Sequence, residues 1–227
     1  MSTFNLDEAK QNLLKRYLNS GTAASRDVIE AYLRVKREDF LPENQILHAY
    51  EDRPLQIGYN QTISAPHISF IYAEKLDMKV GQKVLEIGAG SGYNAAFFAE
   101  LVAPSNMEKE KWGHVFTVER LGELVEISRR NLEKAGYIDR ITVIGGDGTL
   151  GYEKEAPYDR IIVTAAGPEV PIPLKEQLAD GGKLIIPVGK KHMYQELMLI
   201  ERYKNKFKEK RLGGVAFVPL IGKHGFK

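Results

Sequence analysis

An α/β fold with a doubly wound, mostly parallel sheet is the class this sequence predicts, with helices before the sheet and an antiparallel edge after it. Three observations carry that prediction. Short apolar runs alternate with helical patterns from Lys83 onward. A glycine-rich turn, Gly88-Ala89-Gly90-Ser91-Gly92, joins the first such run to the first such helix. The runs are apolar on both faces, as strands of a parallel sheet covered by helices on each side must be.

The elements follow in order. Leu6, Ala9, Leu13, Tyr17 and Leu18 recur at helical spacing and predict a helix over Asn5–Asn19, stopped by Gly21. Ser25 can cap a second helix carrying Val28, Ala31, Tyr32 and Val35, and Pro42 closes this helical preface. Glu51–Ser64 is polar and without periodicity, a long loop of the kind that is usually functional in a compact domain. Pro66–Leu76 reads as a helix. Strand Lys83–Ile87, helix Tyr93–Val102, strand Val115–Glu119, helix Gly122–Ala135 with Gly136 as its stop, and strands Ile141–Gly145 and Arg160–Ala165 come next. A short helix over Pro173–Ala179 should end in an Asp180-Gly181-Gly182 turn before strand Leu184–Val188. Glu196–Tyr203 and Leu212–Leu220, joined by a charged turn, should form the antiparallel edge.

With 227 residues the chain has room for one substantial α/β domain, 1–227. Within it, 1–78 is an N-terminal helical and loop region, 79–189 a cofactor-binding core, and 190–227 the C-terminal strands. Apolar residues make up 43% of the chain, enough for a sizeable core. A net charge of only +2 argues against binding driven by phosphate neutralisation, so no nucleic-acid partner is expected; the basic run Lys204–Arg211 reads as a solvated turn. The absence of cysteine excludes disulfides, thiolate nucleophiles and cysteine-type zinc clusters, and no metal site is expected. Met1 to Lys15 shows no apolar signal-peptide core, and no apolar run approaches membrane-spanning length. A soluble cytoplasmic protein is therefore expected. The sequence carries no signal for oligomeric state.

The glycine turn is informative through its spacing. Gly88, Gly90 and Gly92 form G-x-G-x-G, whereas the dinucleotide fingerprint G-x-G-x-x-G has its third glycine one place later, which disfavours a nicotinamide-dependent oxidoreductase. No P-loop motif occurs. Glu86, two places before the first glycine, suits a positively charged ligand better than a pyrophosphate. Glu119 ends the second strand, where an acidic side chain can accept both hydroxyls of a ribose. The run Glu86-x-Gly88-x-Gly90-x-Gly92 resembles motif I of the Rossmann-like class I methyltransferases that use S-adenosylmethionine and release S-adenosylhomocysteine. That resemblance implies that Asp147, in Gly145-Gly146-Asp147-Gly148, contacts the adenine amino group, with Gly148 beside it.

Arg53-Pro54-Leu55-Gln56-Ile57-Gly58-Tyr59-Asn60-Gln61-Thr62-Ile63-Ser64-Ala65-Pro66 resembles the signature loop of the protein-L-isoaspartate O-methyltransferases. Tyr158–Ala166, Gly181–Gly189 and Phe217-Val218-Pro219-Leu220 are similar to three later segments of that family, in the same order. The resemblance covers most of the chain. It implies methyl transfer to the free carboxyl group of L-isoaspartyl residues, and of D-aspartyl residues as a further substrate, in damaged proteins and peptides. It places Thr164 with the cofactor, and Ile63, His67, Phe217 and Val218 with the substrate. Two departures are visible: an enlarged polar loop, Pro104–Gly113, and Asn60 where the family often has glycine, a change that bears on local backbone shape.

The residues can be tested against that chemistry. An exposed α-carboxylate, with a pKa of roughly 3.3–3.7, is already an anionic nucleophile at neutral pH, so no general base is needed. The thioether leaves neutral and needs no acid. Positioning remains, with reacting atoms roughly 3–3.5 Å apart. Attack of an anion on a sulfonium cancels charge, so a cation clamped on the carboxylate would stabilise reactant more than transition state. Neutral donors suit the task. Thr62 and Ser64 with the amides between them are the candidates, Ser64 foremost, although Ser64 could also cap the helix at Pro66. The alternative acceptor for a class I methyltransferase is another small molecule or RNA; a cofactor-binding scaffold without activity would require a missing site element.

Overall fold

The computed structural model describes residues 5–191 and 193–227. The first four residues of the stretch read above for a signal peptide lie outside the described residues.

Helix α1 (Leu6–Ser20) starts at Asn5, whose side-chain oxygen accepts from the amides of Asp7 and Glu8. Helix α2 (Arg26–Arg34) is fastened to it by the buried Lys10, whose ammonium donates to the carbonyls of Leu33 and Val35. Ser25 does not cap α2 with its side chain; instead the Glu74 carboxylate accepts from the amides of Ala24 and Ser25. Two short 3-10 segments, Arg37–Phe40 and Glu43–His48, lead into the loop.

That loop contains regular structure the sequence did not announce. Strands β1 (Leu55–Gly58) and β2 (Gln61–Ile63) pair antiparallel around a two-residue turn, Tyr59-Asn60, with φ of +52° and +55°. Both turn residues sit in the left-handed region that tight hairpins require, and asparagine tolerates it better than most. Asn60 thus supports the same turn a glycine would. Helix α3 (Pro66–Leu76) follows, with Ala65 at its N-cap and no side-chain cap. Ser64 is not the cap, so capping does not occupy its hydroxyl.

The core sheet begins with β3 (Lys83–Ile87), followed by α4 (Tyr93–Val102), β4 (His114–Glu119), α5 (Gly122–Lys134), β5 (Ile141–Gly145), β6 (Tyr158–Val163), α6 (Ile172–Glu176), β7 (Leu178–Gly189), β8 (Gln195–Tyr203) and β9 (Lys206–Val215). The seven strands stand in the order β5-β4-β3-β6-β7-β8-β9. Strands β3 to β7 pair in parallel, and β8 and β9 add to the edge antiparallel. Strand parity divides the core. Val84, Ile162 and Ile185 face α1 to α5, while Leu85, Ile87, Ile161, Leu184 and Ile186 face the opposite layer with Leu174 and Leu220. Helix α4 is buried nearly all round because the N-terminal helices cover the side that the sheet leaves free. One deeply buried ion pair, Arg140 to Glu100 at 2.7 Å, joins the end of α4 to the segment before β5.

Two expectations at the sheet edge need correction. Asp180-Gly181-Gly182 does not separate a helix from a strand: β7 starts at Leu178 and carries these residues as a bulge, since Tyr158 pairs with Leu178 but Arg160 with Lys183. Gly181, at φ +75°, permits that detour. Likewise Lys206–Arg211 is not a turn. The turn is confined to Lys204-Asn205, and the charged residues line the open edge strand β9, exposed along nearly its full length. The segment after Val215 leaves the ladder and turns back across the sheet, with Pro219 bridged to Ala166. The Pro104–Gly113 loop lies on the surface, anchored by Trp112, whose indole donates to the Pro104 carbonyl at 3.0 Å.

Candidate active site

From β3 the chain winds outward through β4 to β5 and then returns to β6 on the other side of β3. The crevice beyond the carboxyl ends of β3 and β6 lies at this reversal, where open α/β sheets bind their ligands. A cavity of about 580 Å³ occupies it, lined by Ile87, Gly88 and Gly90, by Val118 and Glu119, by Gly148, by Thr164, and by Gln61 and Thr62 with Val218 to Ile221 over them.

The glycine turn lets backbone form the wall. Gly88 has φ +99°, and a Cβ there would stand 2.3 Å from the Thr164 hydroxyl oxygen. That hydroxyl donates to the carbonyls of Ile87 and Gly88 at 2.9 and 3.0 Å, which stitches β6 to the turn. A Cβ on Gly148 would lie 2.4 Å from Ile87 Cγ2. Glu119 is buried on the wall; its two oxygens accept from the amides of Gly90 at 3.1 Å and Leu121 at 3.0 Å, so the turn holds the carboxylate in place.

A second space of about 290 Å³ lies between the turn and the hairpin, lined by Thr62, Ile63 and Ser64 and by Gly88 to Ser91, Tyr93, Asn94 and Thr164. A third, a groove of about 780 Å³, runs past Asp52 to Pro54, Thr62, Ser64, Ala65, His67, Ile68 and Thr164 to Ala216, Phe217 and Val218. Thr62 and Thr164 border all three spaces, and Ser64 borders the second and third. His67 is oriented by Asp52, whose Oδ1 meets His67 Nδ1 at 2.8 Å and also accepts from its amide. Phe217 is fixed from both sides by the Gln195 side-chain amide.

Three residues singled out from the sequence do not line these spaces. Glu86 shares strand parity with Val84 and so points beneath the helices, fully buried; Thr117 donates to its Oε2 at 2.7 Å while Oε1 has no partner among the described residues. Burial pushes its carboxyl up to about 8, against the pull of the Thr117 hydroxyl. Gly92 lies under the turn, where a Cβ would meet Leu132 at 3.0 Å; it permits α4 and α5 to approach and forms no wall. Asp147 has both oxygens engaged, Oδ1 by the amide and hydroxyl of Thr149 and Oδ2 by the amide of Lys223 at 2.7 Å. Burial raises its carboxyl, but these donors outweigh that and hold it below the usual range. In this arrangement it anchors the C-terminal segment, and the neighbouring Gly148 is the residue on the wall.

Sequence reasoning gave no site role to Arg37, Asp52 and Asn94, nor to the strap Pro219 to Ile221, of which Pro219 and Leu220 were read only as part of a family-like segment. Arg37 is completely buried and donates to the Ser64 carbonyl at 2.8 Å. Nothing local marks it, since the contact joins residues 27 apart.

Comparison with known proteins gives a consistent result. The profile of the protein-L-isoaspartate(D-aspartate) O-methyltransferase family matches residues 8–225. A Methanothermobacter thermautotrophicus protein-L-isoaspartate O-methyltransferase is 52% identical over 223 residues, covering 98% of this chain and 99% of its own. The protein of that description from Hyperthermus butylicus is 50% identical over 220 residues, covering 97% of this chain and 91% of its own. Among solved structures, a protein-L-isoaspartate O-methyltransferase superposes with a TM-score of 0.84 at 31% identity, over 95% of this chain and 67% of its own. A Plasmodium falciparum structure under the same family heading, in complex with S-adenosyl-L-homocysteine, gives 0.80 at 30% identity, over 92% and 97%.

Proposed function

The chain belongs to the protein-L-isoaspartate(D-aspartate) O-methyltransferase family, and from that premise we propose how its residues divide the reaction among them. The activity is transfer of a methyl group from S-adenosylmethionine to the free carboxyl group of L-isoaspartyl residues in damaged proteins, which initiates their repair. One observation supports the assignment of roles: the glycine-turn cavity and the groove along Phe217 share Thr62 and Thr164, with Ser64 on the groove side.

S-adenosylmethionine, when bound, supplies a methyl group activated on a sulfonium. The glycine-turn cavity fits it: Gly88, Gly90 and Gly148 put bare backbone on its lining, with the tight contacts of Gly88 to Thr164 and of Gly148 to Ile87 turned into the protein, and the Glu119 carboxylate stands on the wall. Gly88, Gly90, Glu119, Gly148 and Thr164 are the residues to hold it. The groove between Ser64, His67, Phe217 and Val218 takes the isoaspartyl segment. There the Ser64 hydroxyl, not used in capping, donates to the substrate carboxylate, and Thr62 orients it from the shared wall. Both are neutral donors. They direct an anion without the excess reactant stabilisation that a contacting cation would bring. No proton has to move, so the site needs no acid or base.

The reaction belongs, in this reading, to one methyltransferase unit over 1–227 working in the cytoplasm on proteins and peptides, with no nucleic-acid partner. A cysteine-free sequence and a net charge of +2 support that reading. Among the described residues no helix is long and apolar enough to cross a membrane. The test is a pair of synthetic peptides that differ only in isoaspartate against aspartate, incubated with S-adenosylmethionine carrying a labelled methyl group. Methyl ester should form on the first and negligibly on the second; equal rates on both would overturn the specificity.

A further inference from the structure

Arg37 is a buried cation without a buried anion. Its side chain is fully enclosed; Nε donates to the Ala49 carbonyl at 2.9 Å and Nη2 to the Ser64 carbonyl at 2.8 Å, while Nη1 has no hydrogen-bond partner among the described residues. The guanidinium stacks on the Tyr93 ring at 4.9 Å, among Tyr17, Tyr32 and Tyr50; among the described residues no carboxylate pairs with it directly, and Glu38 accepts from the Tyr50 hydroxyl instead. Burying a charge without a counter-ion is costly, and a neutral side chain of similar shape would fill this space at less expense. The bond to Ser64 suggests what the charge achieves there.

Ser64 and Ala65 are the only residues between β2 and α3. The next residue, Pro66, has no N–H, and the Ser64 side chain does not cap the helix, so neither element fixes the Ser64–Ala65 peptide group through those routes. Arg37 holds that peptide plane from below by its carbonyl. Its planar fork grips two carbonyls, of Ala49 and Ser64, and so sets the loop against the 3-10 segment before it. The positive charge stays one peptide unit away from the groove. It can polarise the Ser64–Ala65 amide without touching the substrate carboxylate, which avoids the excess reactant stabilisation of direct contact.

We propose that Arg37 is a positioning residue for methyl transfer, acting through the Ser64 carbonyl to aim the Ser64 hydroxyl at the acceptor carboxylate. The proposal rests on the role given to Ser64 above.

The test compares wild type, Arg37→Met, Arg37→Lys, Ser64→Ala and the double variant Arg37→Met/Ser64→Ala, each assayed below its own melting temperature. Arg37→Met should lower kcat on the isoaspartyl peptide by on the order of 30-fold, with the dissociation constant of S-adenosylhomocysteine within about threefold of wild type. Because Arg37 acts through Ser64, the double variant should turn over within about threefold of Ser64→Ala alone. Should Arg37→Met fail to fold, Arg37→Lys carries the same test: it keeps the charge but loses the fork, and kcat should fall by roughly tenfold. Wild-type turnover in the folded Arg37 variants overturns the proposal. So do losses that multiply in the double variant, or cofactor affinity that falls in step with kcat. If wild type itself makes no ester on the isoaspartyl peptide, the function reading fails and takes this inference with it. An active wild type whose Arg37 variants keep its rate isolates the failure to Arg37.

Discussion

Replacing Gly88 with alanine puts two separable costs into one methyl group. Gly88 has φ +99°, where an L side chain is strained by about 1–2 kcal/mol. Its Cβ would also stand 2.3 Å from the Thr164 hydroxyl oxygen, which cannot swing away without giving up its bonds to Ile87 and Gly88. Overpacking of this kind costs about 1–3 kcal/mol, so Gly88→Ala should lose about 2–5 kcal/mol of stability in urea unfolding. Gly136 provides the control. It has φ +78° with nothing within 4 Å of an added Cβ, so Gly136→Ala should show the backbone strain alone, about 1–2 kcal/mol. Thr164→Ala removes the collision, and in a double-mutant cycle Gly88→Ala and Thr164→Ala should couple favourably by about 1–3 kcal/mol. Because Gly88 lines two of the spaces at the site, calorimetric titration with S-adenosylhomocysteine should give affinity at least about tenfold weaker in Gly88→Ala and unchanged in Gly136→Ala. A Gly88→Ala protein as stable as Gly136→Ala, with wild-type affinity, would refute the reasoning.

Three further outcomes are expected. Ser64→Ala should lower kcat by about 10–100-fold, the worth of a hydrogen bond to a charged group, and leave S-adenosylmethionine affinity nearly unchanged; collapse of cofactor binding would put Ser64 in the wrong space. Glu86 links stability to pH. The unfolded carboxyl ionises near 4.5, whereas burial keeps the folded one protonated to about 8, so its contribution is complete below 4.5, declines as pH rises, and is gone above 8. Glu86→Gln should flatten that decline in unfolding free energies measured from pH 5 to 8; identical slopes would show that the carboxyl ionises alike in both states. Glu100→Ala strands the buried Arg140 guanidinium and should cost about 3–5 kcal/mol. At about 2–4 °C per kcal/mol for a chain of this size, the melting temperature should fall by about 6–20 °C, and a fall of a degree or two would count against a structural role for the pair.

The sequence disclosed those parts of the molecule whose cause is local. Lys83–Ile87, Tyr93–Val102, Ile141–Gly145 and Pro66–Leu76 have the bounds that periodicity, glycine and proline suggest, because each element's own pattern decides where it ends. The hairpin inside 55–63 escaped notice because its strands are short and its turn uses Tyr59 and Asn60 where glycine would have given the signal. At the site, Thr62, Ile63, Ser64, His67, Gly88, Gly90, Glu119, Gly148, Thr164, Phe217 and Val218 do border the three spaces. Glu86 does not, since alternation along β3 turns it toward the helices. Asp147 is engaged by the amide of Lys223, 76 residues away, and no local pattern encodes that closure. Arg37 is the extreme case: its meaning comes wholly from what folding brings beside it.

The lysine-rich outer strand has a bearing on the company this enzyme keeps. Aged or heat-worn polypeptides arrive with loosened segments that seek any unpaired backbone ladder, and an open sheet border is the natural place for them to stick. Lys206, Lys208 and Lys210 make that border hard to desolvate, because docking a guest strand there would crowd ammonium groups against it. A guest strand is thereby discouraged from lodging along that flank.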